Sequence, residues 1–148
     1  MTTREELRLF NEGFRHIPYH QFIDFEVTMA EDGKAEIRVP VKEHLINLAG
    51  MVHGGFYYTL CDLAAFAAAW SVLKGKQLLV TSDINVSVLA AQGIVPGSEL
   101  VARAELLKAG RRLVFVDAEV FNHEGTLLAA GRVTKTVLPW KNGPAPRE

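Results

Sequence analysis

An aspartate within an apolar segment is the first residue whose surroundings suggest chemistry. Asp62 lies in residues 56–74, FYYTLCDLAAFAAAWSVLK, and no Lys or Arg lies within helical reach of it. Burying a carboxylate costs several kcal/mol unless it is paired, and a carboxylate in such surroundings often serves as a general base. The alternative is a structural aspartate that a backbone N–H or a tyrosine hydroxyl satisfies.

Two glycines directly before this segment could bind an anion. His53, Gly54 and Gly55 precede Phe56. Glycines let a ligand approach the backbone closely, and the N–H groups in the first turn of a helix have no intrahelical acceptor. Such a helix N-terminus can polarise a carbonyl group or stabilise an oxyanion. A tight turn from loop to helix, with no ligand, would explain the same residues.

Gly55 and Asp62 are too far apart to act on one group within a single chain. The seven residues from one to the other span about 10 Å of helix. An oxyanion donor and a general base must both lie about 3 Å from the reacting group. If both are catalytic, a second subunit supplies one of them, and the site lies at a two-fold interface to which each protomer contributes.

Hydrophobic periodicity predicts the elements that hold these residues. Residues 56–74 predict one helix of about 28 Å that is apolar on all sides and therefore wrapped by protein. Residues 4–13 predict a short helix, and Pro18 breaks the chain after it. Asp32-Gly33 predicts a hairpin turn. Alternation predicts strands over 23–29 (with Ile23, Phe25, Val27 and Met29 on one face), 35–41, 81–88, 100–107, 113–120 and about 126–138. In the strand over 81–88 it places Thr81 on the face opposite Ile84 and Val86.

These elements predict an α+β fold, with an antiparallel sheet of about six strands curled around one long central helix. No helical segment separates the late strands, which favours hairpins over parallel crossovers. The chain has 148 residues, enough for one domain. We assign that domain to residues 1–138, with the N-terminal helix and a linker in 1–18, and expect residues 139–148 to form a loose tail.

Composition excludes several classes of partner. The formal net charge is -1, which gives no electrostatic basis for binding nucleic acid. The single cysteine cannot form an internal disulfide, as is typical of a reducing compartment. The N-terminus is charged rather than apolar, and the longest apolar stretch contains Asp62 and many alanines, so neither an export signal nor a membrane span is expected. We expect a cytoplasmic protein without a membrane partner.

One run of residues resembles a known family. Residues 47–55, NLAGMVHGG, followed by Asp62 nine residues after His53, resemble the hotdog-fold acyl-CoA thioesterases of the phenylacetate-pathway (PaaI-like) type. Further similarity in 81–86, 108–113 and 131–135 extends the resemblance over roughly residues 20–138. The fold of that family, a curved antiparallel sheet around a central helix, agrees with the periodicity. Its active sites lie at a dimer interface, and its dimers usually pair into tetramers.

The resemblance implies roles for four residues in catalysis. Asp62 would be the catalytic carboxylate, and the backbone N–H of Gly54 would polarise the thioester carbonyl. Asn47 would help to position water or the thioester. Thr81, where some relatives carry serine, would assist the water that the carboxylate activates.

Other residues are expected to contact the substrate. His53 would hold the loop and the start of the helix together rather than act as a base. Aromatic residues would line an acyl pocket for an aryl or medium-length group, although aromatic residues on a central helix are more often core. Arginine and lysine side chains would bind the phosphates of coenzyme A, although basic residues are equally expected at a strand end that is exposed to solvent. The substrate-binding set is His53, Gly55, Phe56, Tyr58, Phe66, Arg111 and Arg112, with Lys108 and Lys135 as further phosphate candidates.

The expected reaction is hydrolysis of an acyl-CoA thioester to a free acid and coenzyme A, without a cofactor or a metal. Asp62 would activate water or attack the thioester directly, and the sequence does not separate these routes. The competing hypothesis is a non-catalytic acyl-CoA-binding or sensing module, which could dispense with the carboxylate. A hydratase of the same fold would carry a catalytic histidine in a proline-bearing loop, and HGG does not match it.

Three other chemistries fit the sequence poorly. The serine hydrolase motif G-x-S-x-G does not occur. His53 lies about 12 Å from Cys61 along one helix, too far for a cysteine–histidine pair. His16 and His20 have the spacing of metal ligands on a helix, but Pro18 between them disrupts that helix.

Overall fold

The computed structural model describes residues 2–73, 77–93, 95 and 97–139. Within these residues a 3₁₀ turn, Glu43–Leu45, precedes the longest helix. The helices are α1 (Arg4–Arg15), α2 (Pro18–Ile23) and α3 (Gly54–Leu73). The strands are β1 (Glu26–Glu31), β2 (Lys34–Pro40), β3 (Gln77–Val88), β4 (Glu99–Ala109), β5 (Leu113–Phe121) and β6 (Leu127–Pro139).

The six strands form one antiparallel sheet in the order β1-β2-β4-β5-β6-β3. Helix α3 contacts all six strands and lies against one face of the sheet. This arrangement confirms the α+β class and the central helix, and it is the hotdog architecture. The order leaves β1 and β3 at the two edges, and β3, with 12 residues, is much the longer of the two.

Alanine lets the sheet approach α3 closely on several sides. Five alanines of this helix are fully buried, so their small side chains set the separation between helix and strands. The helix begins at Gly54, two residues before the predicted start, and Lys74 lies outside the described residues. It is long and apolar enough to cross a membrane by length and composition alone, but most of it is buried within this domain.

The prediction of a strand from Ile23 was wrong. Ile23 ends the helix α2, which begins with Pro18, because proline is favoured at the first position of a helix. Asp24 then adopts φ 60 and redirects the chain into β1. A bulge between Val27 and Met29 moves Met29 to the exposed face, so these two residues do not share a face as predicted.

The hairpin turn at Asp32-Gly33 is confirmed. Both residues have positive φ, 48 for Asp32 and 79 for Gly33, as a two-residue type I′ turn requires. The N–H of Gly33 donates to Oγ of Ser71 at 2.9 Å, which ties the hairpin to the end of α3.

The structure tests the prediction for the N-terminal end of the chain, but not the one for most of the C-terminal tail. A capping box between Thr3 and Glu6 starts α1, which continues through Gly13, the predicted stop, to Arg15. At the other end β6 finishes at Pro139. The predicted loose tail therefore lies outside the described residues, apart from its first residue.

Candidate active site

Asp62 is paired with side chains from the sheet, since no Lys or Arg lies within reach on its own helix. Its Oδ1 accepts hydrogen bonds from Oγ1 of Thr81 at 2.5 Å and from Nζ of Lys135 at 2.8 Å. Nζ of Lys135 also donates to Oγ1 of Thr81 at 3.0 Å. The Asp62 side chain is 36% exposed, and within the described part of the chain no donor is recorded for its Oδ2. The carboxylate is therefore held on one oxygen and open on the other.

Lys135 is the buried member of this group. Its side chain is only 2% exposed, and its backbone lies between Val133 and Val137 on β6, both of which point into the core. The ammonium also lies 5.7 Å from the centre of the Phe66 ring, within the range of a cation–π contact. The prediction that Lys135 meets a coenzyme A phosphate is therefore wrong for this structure, since the side chain is directed inward.

Sequence reasoning missed this pairing because it sought a cation on the helix that carries Asp62. The cation comes instead from the sheet, 73 residues further along the chain. A signal was present in the alternation of β6, where a lysine occupies an inward-facing position between two buried valines. A charged residue at such a position needs a partner, because an unpaired buried ammonium is very costly.

A β-bulge directs Thr81 toward the helix. The pairing of β3 with β6 joins Thr81 to Lys135 and then slips between Thr81 and Asp83. Simple alternation had put Thr81 on the face opposite Ile84 and Val86. The extra residue at the bulge places Thr81 on the helix-facing side, as bulges next to functional sites often do.

The HGG run supplies one unoccupied backbone donor. Nδ1 of His53 accepts a hydrogen bond from the N–H of Gly55 at 2.9 Å, and the carbonyl of His53 accepts from the N–H of Phe56. His53 thus caps the first turn of α3. None of the described residues accepts a hydrogen bond from the N–H of Gly54. A Cβ added at Gly54 would meet nothing within 4 Å, so the space in front of this residue is open.

Asn47 organises the loop before α3. Its Oδ1 accepts from the N–H groups of Ala49 at 2.9 Å and Met51 at 3.1 Å, and its carbonyl accepts from Gly50. Its side-chain Nδ2 has no recorded acceptor among the residues described here. Asn47 is exposed, and its amide therefore retains two N–H donors for a ligand.

The structure does not bring Gly54 and Asp62 together within one chain. Both lie on α3, eight residues apart, which corresponds to about 12 Å along the helix axis. Asp62 and Thr81 form one group with Lys135, whereas His53, Gly54 and Gly55 form another at the start of the helix. A single chain therefore holds two separate halves of the predicted site.

The predicted aromatic residues have three different surroundings. Phe56 is 7% exposed and belongs to the core. Tyr58 is exposed, and its hydroxyl donates to the carbonyl of Val86 at 3.0 Å. Phe66 is partly buried, lies one helical turn from Asp62, and borders an open cavity.

That cavity is an apolar groove of about 460 Å³ between α1, α3 and the beginning of β3. Phe66 links the groove to the group formed by Asp62, Thr81 and Lys135, because its ring faces Nζ of Lys135. We call it the α1 groove. Its lining residues are Leu9, Phe10, Gly13, Phe14, Ile17, Phe66, Trp70, Leu73, Gln77, Leu78 and Leu79.

Arg111 and Arg112 lie at the exposed turn between β4 and β5. The carbonyl of Arg112 accepts a hydrogen bond from the N–H of Val137 at 2.7 Å. Val137 is two residues beyond Lys135 on β6, so this turn lies at the same end of the sheet as Asp62, Thr81 and Lys135. The two arginines are thus exposed cations close to the candidate site.

Helix α2 lies over the same part of α3. The hydroxyl groups of Tyr19 and Thr59 are 2.8 Å apart, which joins α2 to α3 one turn before Asp62. Burial lowers the pKa of His20, while a hydrogen bond with the backbone of Phe14 and, after it, the negative charge of Asp62 act in the opposite direction. Nδ1 of His20 is buried and has no hydrogen-bond partner in the described regions. The structure thus places His20 within electrostatic range of the carboxylate, which the sequence did not indicate.

The cysteine and metal alternatives gain nothing from the structure. Cys61 is fully buried, and burial, with a smaller effect from the charge of Asp62, raises the pKa of its thiol to about 12. A thiol of this kind is a poor nucleophile at neutral pH. Across the residues that the structure describes, no group of three or more His, Cys, Asp or Glu side chains could hold a metal ion.

The fold and the site define the class of protein. A six-stranded antiparallel sheet around one helix, with a carboxylate in the middle of that helix, is a hotdog fold with a candidate site at Asp62. A family model described as the thioesterase superfamily matches residues 49–129, and the chain belongs to that superfamily. The protein is a thioester hydrolase.

Individual relatives agree with this assignment. The human protein named acyl-coenzyme A thioesterase 13 is 32% identical over 107 residues, which are 72% of this chain and 74% of the relative. The crystal structure of zebrafish thioesterase superfamily member 2 has a TM-score of 0.78 and 31% identity, and covers 88% of this chain and 97% of that one. A mutant of the phenylacetic acid degradation protein PaaI from Thermus thermophilus has a TM-score of 0.72 and 26% identity, over 82% of this chain and 100% of that one. The resemblance to PaaI-like thioesterases is therefore confirmed.

Proposed function

We propose that the protein hydrolyses an acyl-CoA thioester to a free acid and coenzyme A, using Asp62 of one subunit and the Gly54 N–H of another. The observation that carries this proposal is the state of Asp62. Thr81 and Lys135 bind one carboxylate oxygen, and the other is open to a ligand. The name of the human relative supports an acyl-CoA as the substrate.

The reaction requires attack on the thioester carbonyl. Either Asp62 takes a proton from water, whose oxygen then attacks, or its open oxygen attacks directly and water hydrolyses the resulting anhydride. In both routes the carbonyl oxygen becomes negative, and the free N–H of Gly54 at a helix N-terminus suits that charge. The C–S bond then breaks, and coenzyme A leaves as a thiolate that takes up a proton.

A homodimer is the smallest assembly that we expect to be active. Gly54 and Asp62 of one chain lie about 12 Å apart, so one subunit must meet its partner for both to reach one carbonyl. In the described part of the chain no strand lies beside the outer edge of β3, and long exposed edges of this kind favour pairing with another chain. We propose that two copies join at this edge, and that such dimers pair into a homotetramer.

The α1 groove is the best candidate for the acyl group. It begins at Phe66, next to Asp62 and Lys135, and it is lined almost wholly by apolar and aromatic side chains. Apolar walls bind an aryl or medium-length alkyl group by removing its surface from water. Arg111 and Arg112, at the same end of the sheet as Lys135, are the proposed contacts for the phosphates of coenzyme A.

Release of the coenzyme A thiol tests the proposal directly. Acetyl, hexanoyl, decanoyl, palmitoyl, benzoyl and phenylacetyl thioesters are incubated with the protein and a thiol-detecting reagent. We expect the highest kcat/KM for aryl or medium-length groups, and a loss of at least about 100-fold in Asp62→Asn. The matched control is Asp32→Asn, because Asp32 lies in the turn beside the C-terminal end of α3, away from Asp62, and asparagine suits its positive φ.

Two outcomes would contradict this function. Turnover by Asp62→Asn at the wild-type rate would remove the proposed carboxylate from the mechanism. Binding of acyl-CoA without thiol release from any member of the panel would favour the sensing module instead.

A further inference from the structure

We propose that Lys135 is a positioning residue for this reaction, which holds Asp62 by Oδ1 so that Oδ2 faces the water or the thioester. The inference rests on the proposed function, and it assigns a role to a residue that the hydrolysis chemistry alone does not require. Lys135 acts through Asp62 and does not contact the substrate.

The three hydrogen bonds that join Asp62, Thr81 and Lys135 have defined directions. An ammonium group can only donate, so Nζ of Lys135 donates both to Oδ1 of Asp62 and to Oγ1 of Thr81. Oγ1 of Thr81 accepts from Lys135, and its own proton therefore points to Asp62. Lys135 thus fixes the direction of the Thr81 hydroxyl as well as its own contact with the carboxylate.

Both donors bind the same carboxylate oxygen. Rotation about the last torsion of an aspartate is ordinarily broad, so a free carboxylate would exchange its two oxygens. Two donors on Oδ1 oppose that rotation and leave Oδ2 with its lone pairs available. A base or nucleophile needs this kind of fixed orientation, because small errors in placement reduce the rate strongly.

The position of Lys135 excludes the usual roles of a surface lysine. It is 2% exposed, beneath α3 and in contact with the Phe66 ring, so it cannot reach a phosphate in solvent. Burial of an ion pair is weak support for stability, since an apolar pair of similar volume is often as good or better. A function at Asp62 is therefore the better explanation of a lysine at this core position.

The test separates kcat from KM in two variants. Lys135→Met fills the same space without a donor, and Lys135→Gln keeps an N–H donor without the charge. We expect kcat to fall at least about tenfold in the Met variant and less in the Gln variant, with KM changed by less than about threefold in both. Lys34→Met is the matched control, because Lys34 is an exposed lysine paired with Glu105 and takes no part in the candidate site, and we expect both its kcat and its KM to stay close to those of the wild type.

Thermal unfolding of each variant is measured first, so that loss of structure is not mistaken for loss of rate. If the Met variant does not fold, the Gln variant carries the test, because it keeps a polar contact to Asp62. A kcat within twofold of wild type in the folded variants would overturn the inference, as would a rise in KM alone. Asp62→Asn distinguishes the two proposals: if it is inactive while Lys135→Met is fully active, only the role of Lys135 fails.

Discussion

Oγ1 of Thr81 lies 2.5 Å from Oδ1 of Asp62, although 19 residues separate them along the chain. The contact depends on two features of different elements. Asp62 faces the sheet from the middle of α3, and the bulge after Thr81 turns this hydroxyl toward the helix. The edge strand β3 therefore carries part of the proposed catalytic site as well as the proposed interface between subunits.

Removal of this hydroxyl should slow the reaction without unfolding the protein. We expect Thr81→Val to lower kcat by about 10- to 100-fold, since a hydrogen bond to a charged group contributes about 1.5–3 kcal/mol. Thr81→Ser should retain most of the rate because it keeps the hydroxyl. The control is Thr136→Val, whose hydroxyl forms a hydrogen bond with Ser82 on the other face of the sheet. Equal rates in the Val variants of Thr81 and Thr136 would argue against a role for Thr81.

Two glycines should respond in opposite ways to alanine. An added Cβ at Gly54 meets nothing within 4 Å, whereas at Gly131 it would lie 2.4 Å from the backbone oxygen of Asn85. Gly131→Ala should therefore lower stability by about 1–3 kcal/mol, because β3 and β6 must move apart. Gly54→Ala should keep or raise the melting temperature and yet lower kcat/KM at least about tenfold, because the methyl group obstructs the approach of a carbonyl. Thermal unfolding and thiol release on the same samples decide both points.

The sequence predicted the helices and strands better than it predicted which side of the sheet each residue faces. The long helix, the hairpin at Asp32-Gly33 and the late strands follow from composition and alternation within each segment. Met29 and Thr81 were assigned to the wrong face because each adjoins a bulge, and a bulge breaks alternation without a residue type that signals it.

The partner of Asp62 was beyond sequence reasoning for a related reason. Asp62 and Lys135 meet only because β6 passes beneath α3, and that proximity is a property of the sheet order rather than of either segment. Local pattern identifies a charged residue on an apolar face. It does not identify which of the 16 cations in the chain reaches it.

The ion pair between the buried Lys135 and the partly exposed Asp62 should contribute little to the free energy of unfolding. A double variant, Asp62→Asn with Lys135→Met, replaces it with neutral side chains of similar size. We expect its melting temperature to equal or exceed that of the wild type, because the desolvation of two charges offsets their attraction. The single variant Asp62→Asn should be less stable than the double variant, since it leaves the Lys135 ammonium buried without its carboxylate. Melting curves at low and high salt give the comparison, and a double variant much less stable than both single variants would contradict it.

Cys61 should be inert in the folded protein. Burial raises the pKa of its thiol to about 12, so thiolate is scarce at neutral pH and iodoacetamide should react only after unfolding. The unfolded thiol ionises near pH 9, so its contribution to stability is complete below that pH and is lost as the pH rises toward 12. Cys61→Ala should retain wild-type kcat. Rapid alkylation with loss of activity in the native state would revive the cysteine nucleophile.

Partial filling of the α1 groove should change the choice of acyl group. Leu9 lines the groove and is 53% exposed, so Leu9→Trp can add bulk there without disturbing the core. We expect KM for the preferred aryl or medium-length substrate to rise roughly tenfold, about 1.4 kcal/mol, while acetyl-CoA is hydrolysed as before. Leu107→Trp is the control, because Leu107 is 50% exposed and lies outside the groove lining. If Leu9→Trp affected acetyl and longer thioesters equally, the acyl group would have to bind elsewhere, and the apolar lining around Phe66 would need another occupant.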